Sequence, residues 1–481
     1  MKALILFFGL LLSVPILSIA QSKEIIINIQ FDNQIDTDIQ AVPAILKYDK
    51  EFAFSFTFDD GRSDAFSLGY KLMAGGHSEM DSLDYPGLFY TDGCGNLLPF
   101  RAGISWYTAN SAMVDLHLNT PSYLTYNDAK TLSNGGWDFF NHSYNHQSGL
   151  NSSDYVWQLT ENSKSFKANT GINFNICVPP DGDTGYIAPA FALGALACIT
   201  SMGAQIGNEI GADITIPVPS PNPIYWRHEI NSDNYTAELL KSAIDRWVGT
   251  TGQGKQKWWN EFTHRIDYKH IASSLEFPAF RSYFEYLEQK YGRLGKDNGW
   301  FAGSGEVLDY LLVRDKVIIH NEKNGSLLSV HIDFSNVPET LRHYNLSLLV
   351  KNPGHVESIR TDSPLDITYH QTSEKLLINI DFPDSYFSGI NETANETLPA
   401  DACYPNPTTG KLIMNVPVGI SNPRVVISDM RSLIISEPPI ELRNNQIYID
   451  LGRNKCSPGI YVISLFSGQR LIKSSKVILN F

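Results

Sequence analysis

The stretch F-A-F-S-F-T-F-D-D-G, residues 52–61, constrains the fold more than any other part of the chain. Its first seven residues are aromatic or small at nearly every position, with none of the apolar–polar alternation of a strand that faces water on one side. Such a run predicts a strand buried on both faces in a parallel sheet. It stops at Asp59-Asp60-Gly61, and two carboxylates at the end of a buried strand are costly unless they meet water, a cation or hydrogen-bond donors. In α/β barrels the carboxyl ends of the strands carry the active site. Adjacent strand residues project in opposite directions, so Asp59 and Asp60 are expected to do different work.

A second stretch, W-D-F-F-N-H-S-Y-N-H-Q-S at residues 137–148, sets His142 and His146 four apart after an apolar pair. That spacing puts both side chains on one face of a helical turn. Two imidazoles and one carboxylate form an N,N,O set with positions open for water and substrate, and Zn²⁺ is the expected ion for a non-redox hydrolytic site of this kind. It lowers the pKa of a water toward ~7 and polarises a carbonyl. Alone, an H-x-x-x-H pair is more often two turn or surface histidines, and D-D-G is a turn signal. Their joint occurrence is what points to a site.

Around these stretches the chain alternates short apolar runs with helical patterns at 154–170, 235–249 and 280–291, which predicts an α/β domain over residues 21–315. The texture then changes. Strand-like runs at 317–320, 327–334, 346–350 and 376–382 predict a small all-β sandwich over 316–395. A polar, Pro-containing stretch at 388–402 reads as a joint, with 396–402 as the linker proper, and 403–481 reads as a third, all-β module. A length of 481 residues suits about three domains.

At the N-terminus, Lys2 precedes an apolar run and Ser18-Ile19-Ala20, the pattern of a signal peptide at 1–20 cleaved before Gln21. No later stretch approaches the ~20 apolar residues of a membrane-spanning helix. Against 37 Lys and Arg stand 51 Asp and Glu, a net charge of −14, so nucleic acid and anionic membranes are poor candidate partners. Cys403 and Cys456 fall in one module and are candidates to pair.

T-F-D-D-G (residues 57–61) and N-H-S-Y-N-H (residues 141–146) resemble the first two motifs of the polysaccharide deacetylase family, the NodB-homology group of carbohydrate esterases. The resemblance implies a distorted (β/α) barrel and a secreted, metal-dependent hydrolase that removes N- or O-linked acetyl groups from a carbohydrate polymer. It implies Asp59 as catalytic base and Asp60, His142 and His146 as metal ligands. The family's last motif is matched by W-W-N-E-F-T-H-R (residues 258–265), which makes His264 the general acid. Its third motif carries an Arg that orients the base. The corresponding stretch here, V-P-P-D-G-D (residues 178–183), keeps the Pro and Gly but has no Arg, leaving Arg62, Arg101 and Arg265 as candidates. That departure motivates an alternative, a catalytically weak or inactive deacetylase-like surface protein that binds glycan. His77, His117, His228 and His270 are expected to be structural.

The tract 84–106 is similar to an insertion in Bacteroidetes members of the family. It is expected either to present aromatic faces to sugar rings or to cover the barrel mouth. Finally, Y-P-N-P-T-T-G-K-L (404–412), V-V-I-S-D-M-R-S-L-I (425–434) and S-P-G-I-Y-V-I-S-L (457–465) resemble the C-terminal sorting domain of the type IX (Por) secretion system. That implies Sec export, outer-membrane passage, and release or attachment at the cell surface, with the secretion machinery as partner. The 316–395 module carries no readable motif and is expected to act as a spacer, with carbohydrate binding as the alternative.

Overall fold

The computed structural model describes residues 23–35, 38–201, 222–249, 257–361 and 365–382, and strand segments between residues 403 and 479. The expected signal peptide, the joint at 388–402 and the Cys403 side chain lie outside the described residues. The chain divides into two compact units, residues 1–390 and 391–481.

The first unit is built on a parallel, barrel-like sheet. Its strands run in the order Ile224–Trp226, Ala197–Thr200, Ile176–Cys177, Asp138–Asn141, Gly103–Trp106, Phe52–Phe58, Lys257–Thr263 and His228–Glu229, with Gly299–Phe301 also paired to Phe52–Phe58. The two terminal segments are separated only by Arg227. One extended stretch, residues 224–229, therefore pairs with Cys198–Thr200 on one side and with Glu261 and Phe262 on the other. It closes the ring.

Phe52–Phe58 is the central strand, and it alternates after all. Phe52, Phe54 and Phe56 face outward, where Trp247, Phe284 and Phe280 meet them edge-on at 5.7, 5.9 and 5.4 Å between ring centroids. Their partners lie on helices Ala237–Val248 and Phe277–Tyr291. Ala53, Ser55 and Thr57 take the other face, where the Trp258 indole N–H donates to Ser55 Oγ at 2.9 Å. Both faces are buried; the interior of a small barrel accepts only small side chains next to a Trp, so the aromatic residues go outward.

Strands Glu24–Phe31 and Ala41–Pro43 lie within the 21–315 span expected for the α/β domain, yet they belong to two antiparallel sheets completed by residues after 316. Glu24–Phe31 pairs with Leu327–Asp333 and with Val356–Thr361. Its buried Ile25, Ile27 and Ile29 share a core with Leu328, Val330 and Ile332. Strands Asn345–Lys351 and Lys375–Asp381 are buried along most of their length, because this second sheet also packs on the barrel unit. Tyr48 N donates to Ser347 Oγ at 2.8 Å, and Tyr310 OH, on helix Ser304–Lys316, donates to Ala44 O at 2.7 Å. The Arg342 guanidinium reaches Ser133 Oγ at 2.9 Å and Asp138 Oδ1 at 3.3 Å. One continuous apolar core runs through barrel and sheets.

The 84–106 tract does not offer aromatic faces. Tyr90, Phe100 and Trp106 are buried, with Phe100 stacked on Phe301 at 3.9 Å. Its hairpin, Phe89–Thr91 with Leu97–Pro99, packs beside Asp297 and Asn379. Asp297 lies just before Gly299–Phe301, so the hairpin caps the amino ends of the parallel strands, the end opposite Asp59. The apolar residues of the tract fill that cap.

The second unit holds two four-stranded antiparallel sheets, one around Lys411–Asn415 and Gln446–Asp450, the other around Pro423–Asp429, Gly459–Ser467 and Arg470–Leu479. Leu412, Met414, Ile427, Ile447, Ile463 and Leu465 form its core. Among the described residues no helix is long and apolar enough to cross a membrane.

Candidate active site

The site forms at the carboxyl ends of the parallel strands. Asp59 and Asp60 follow Phe58 in a single tight turn, in which Asp60 takes φ 68° and Gly61 φ 60°. A left-handed Asp is uncommon and needs surroundings that hold it there. A Cβ on Gly61 would sit 3.1 Å from His117 and 3.3 Å from Trp106, so any side chain there would crowd both rings in an already strained backbone. The turn sends the two carboxylates to different partners.

Asp59 meets Arg227. Nη2 lies 2.6 Å from Oδ2 and Nη1 bonds Oδ1, a two-point pair in which both side chains are buried. The guanidinium also lies 3.8 Å over the Phe262 ring. Burial alone would raise the Asp59 pKa, but the Arg227 charge and hydrogen bonds, with His142 and His264, outweigh it and hold the carboxyl well below the usual range.

Asp60 faces the histidines. Arg62 holds Oδ2 at 3.3 Å. Oδ1 lies 3.8 Å from His142 Nε2 and 3.5 Å from His146 Nε2, and one ligand atom from each residue lies within 4.8 Å of the others. His142 Nδ1 is 2.6 Å from Val178 O; a carbonyl only accepts, so the ring proton sits on Nδ1 and the Nε2 lone pair points to Asp60. Both His142 Nε2 and Asp60 Oδ1 are buried without a hydrogen-bond partner among the described residues. Such orphans are expensive, and a divalent cation would satisfy them together. Burial, above all, pushes the His142 pKa down to about 4, keeping it neutral as a ligand must be.

The two histidines do not share a helical turn. They lie in an irregular loop after strand Asp138–Asn141, with Ser143 at φ 66° and His146 at φ 56°. Buried polar side chains hold this shape. Ser143 Oγ accepts from His146 N at 2.9 Å, and Asn141 Oδ1 accepts from Ser143 N at 3.1 Å. From helix Ser152–Thr170, Gln158 Oε1 accepts from Tyr144 N and Asn145 N, and Asn162 Nδ2 donates to Asn141 Oδ1. The V-P-P-D-G-D stretch joins this support. Val178 orients His142, Asp181 bonds Ser148 at 3.0 Å, and Asp183 accepts from Gly149 N at 2.8 Å.

His264 follows strand Lys257–Thr263, whose Thr263 is the register partner of Phe58. It therefore stands on the rim beside the Asp59 turn. Its Nδ1 lies 3.7 Å from Glu229 Oε1 and has no hydrogen bond among the described residues. None of the three arginines expected beside Asp59 is there: Arg62 binds Asp60, Arg101 binds Glu306 at 3.0 Å, and Arg265 binds Asp64 at 2.9 Å. The residue that sequence reasoning missed is Arg227. Its signal was the apolar–aromatic run I-Y-W ahead of it, residues 224–226. His117 is structural, stacked on Trp106 at 3.5 Å with both ring nitrogens near backbone carbonyls.

No curated protein matches the chain. Among solved structures it aligns with a Streptococcus pyogenes deacetylase in complex with acetate, at 16% identity over 30% of this chain and 54% of that one, TM-score 0.23. The chain thus spans about half the length of that deacetylase. It also aligns with a CE4 family pseudoenzyme from Bacillus anthracis, at 14% identity, 54% of this chain, 66% of that one and TM-score 0.30. A family 4 acetyl xylan esterase from Clostridium thermocellum in complex with a cobalt ion aligns at 11% identity, 53%, 89% and TM-score 0.30. These neighbours are a deacetylase, a CE4 family pseudoenzyme and a family 4 acetyl xylan esterase; at such scores the barrel assignment rests on the chain's own strand order. The C-terminal unit has a firmer match, to the model of the secretion system C-terminal sorting domain. Residues 402–480 of this chain are a sorting domain of that family.

Proposed function

We propose that the protein is an exported, metal-dependent polysaccharide deacetylase that hydrolyses N- or O-linked acetyl groups on a carbohydrate polymer. One observation carries the reading. Two buried orphan atoms, Asp60 Oδ1 and His142 Nε2, converge with His146 beside a carboxylate that Arg227 keeps ionised. Asp60, His142 and His146 would hold the cation, and their N,N,O donors suit Zn²⁺. When bound, it supplies Lewis-acid activation of the attacking water and the acyl carbonyl, offsetting the low basicity of Asp59.

The chain's own groups do the rest. Asp59 takes the proton of the attacking water, and Arg227, bonded to both carboxylate oxygens, holds it in one orientation. His264, on the adjacent strand end, gives a proton to the departing amine or alcohol, with Glu229 Oε1 3.7 Å from its Nδ1. Arg62 fixes Asp60 Oδ2 and leaves Oδ1 for the cation.

The sorting domain supports export through type IX machinery, and with a signal peptide at 1–20 it supports a cell-surface or secreted protein of a Bacteroidetes bacterium. The inactive-binder reading rested on the missing third-motif Arg. Arg227 supplies the function of that residue from another strand end, which favours turnover. The test is acetate release by the protein from acetylated chitooligosaccharides, peptidoglycan and acetylated xylan. Release from at least one, lost in Asp59→Asn, is expected; no release from any would sink the proposal.

A further inference from the structure

The two carboxylates of the Asp59-Asp60 turn meet their arginines in different ways. Arg227 bonds both oxygens of Asp59. Arg62 reaches one oxygen of Asp60: its Nη2 lies 3.3 Å from Oδ2, while Oδ1 is buried without a hydrogen-bond partner among the described residues. A guanidinium fork matches a carboxylate at both oxygens, and Arg62 stands only two residues from Asp60. The single contact therefore needs a cause.

Tyr123 supplies it. The central carbon of the Arg62 guanidinium lies 4.3 Å from the centre of the Tyr123 ring, a cation–π contact that holds the flat group against one surface. The ring is itself held in place. Arg62 and Tyr123 are antiparallel bridge partners, with Ser63 N donating to Ser122 O at 3.2 Å and Leu124 N to Gly61 O at 2.9 Å. The hydroxyls of Tyr123 and Tyr107 are 2.7 Å apart, and the Tyr107 ring meets His146 edge-on at 5.2 Å. Buried His117 joins the two ends of this segment, 2.8 Å from Tyr107 O and 2.6 Å from Leu124 O.

We propose that Tyr123 is a positioning residue for the metal site: its ring face keeps the Arg62 guanidinium on Asp60 Oδ2 alone and so leaves Oδ1 to the ion. The proposal rests on the reading of Asp60 as a ligand. Without the ring, the Arg62 fork is free to turn across the carboxylate and compete with the ion for Oδ1. A ligating carboxylate depends on such outer contacts for its orientation. Tyr123 acts on the ion only through Arg62.

The test is titration of the chelator-treated full chain with Co²⁺, followed by the visible absorption of the bound ion. It is run on the unsubstituted protein, Tyr123→Phe, Tyr123→Leu, Arg62→Gln and the Arg62→Gln/Tyr123→Leu double variant, each checked for folding by circular dichroism. Tyr123 is half-buried, so these changes should leave the fold intact. Tyr123→Leu should weaken binding by roughly tenfold or more, and Tyr123→Phe, which keeps the ring, should stay within about threefold. In the Arg62→Gln background, Tyr123→Leu should cost nothing further. Equal affinity in Tyr123→Leu and the unsubstituted protein would overturn the proposal, as would an equal loss in Tyr123→Phe, or an undiminished loss when Arg62 is already replaced. An unsubstituted protein that binds no Co²⁺ would overturn the ligand assignment of Asp60, and the proposal with it.

Discussion

Arg227 and Asp59 are joined by two parallel hydrogen bonds inside the barrel, one of them 2.6 Å, with both side chains 2% exposed. Only a guanidinium offers this fork. Removing it strands a buried carboxylate, at a cost of roughly 3–5 kcal/mol, so Arg227→Ala should be poorly folded. Arg227→Lys keeps the charge and loses the fork. It should retain the fold, lower acetate release by roughly a hundredfold, and move the acid limb of the pH–rate profile upward, because Asp59 loses a donor that depresses its pKa. An unchanged profile would show that Arg227 does not act on Asp59.

How far the sequence reached this arrangement depended on the kind of signal. F-A-F-S-F-T-F and D-D-G were legible because aromatic packing and a terminal turn leave local marks, and His142 and His146 because their motif is contiguous. Arg227 was not, because its partner is 168 residues away and the short run I-Y-W ahead of it does not show which strand it closes against. The loop of His142 and His146 was misjudged as helical: spacing of four suits a helix, but Gln158, Asn162 and Ser143 hold another shape through hydrogen bonds that sequence does not display. Strand Glu24–Phe31 was missed for a related reason, since its partners follow residue 316.

Glu261 and Asp309 should each contribute less stability as pH rises from about 4.5 to 7. Burial pushes Glu261 from 4.5 up to about 7, and Asp309 from 3.8 to about 7, against weaker lowering influences. Between about pH 4.5 and 7 the folded protein holds protons that the unfolded chain has released, so their contribution is full below that window and lost above it. Glu261 accounts for roughly 3 kcal/mol of that difference. Urea unfolding of Glu261→Gln should therefore depend less on pH than that of the unsubstituted protein; equal slopes would contradict the burial argument.

Trp157 on helix Ser152–Thr170 is 42% exposed and meets Tyr144, between His142 and His146 in the chain, edge-on at 5.4 Å. A sugar ring leaving the site on this side can stack there. Trp157→Ala should raise KM for long oligosaccharides about three- to tenfold, in line with ~1 kcal/mol of stacking, with no change in turnover of a small acetyl ester. A fall in ester turnover would place Trp157 in the structural support of the loop instead.

Barrel and sandwich sheets should not separate. Their apolar residues form one core, and Arg342 reaches Ser133 and Asp138 across the join. A chain ending at residue 315 should be insoluble or unfolded, while one ending at residue 382 should unfold in a single cooperative transition. A soluble, folded 315-residue fragment, assessed by circular dichroism and calorimetry, would contradict this.

The most direct measurement is acetate release by chelator-treated protein as Zn²⁺ is added back, compared with Asp59→Asn under the same titration. The expected result is activity restored in step with about one tightly bound ion in the unsubstituted protein, and none in Asp59→Asn although it binds the ion. Full release after exhaustive chelation, or full release by Asp59→Asn, would contradict the assignment of Asp60, His142 and His146 as ligands or of Asp59 as base.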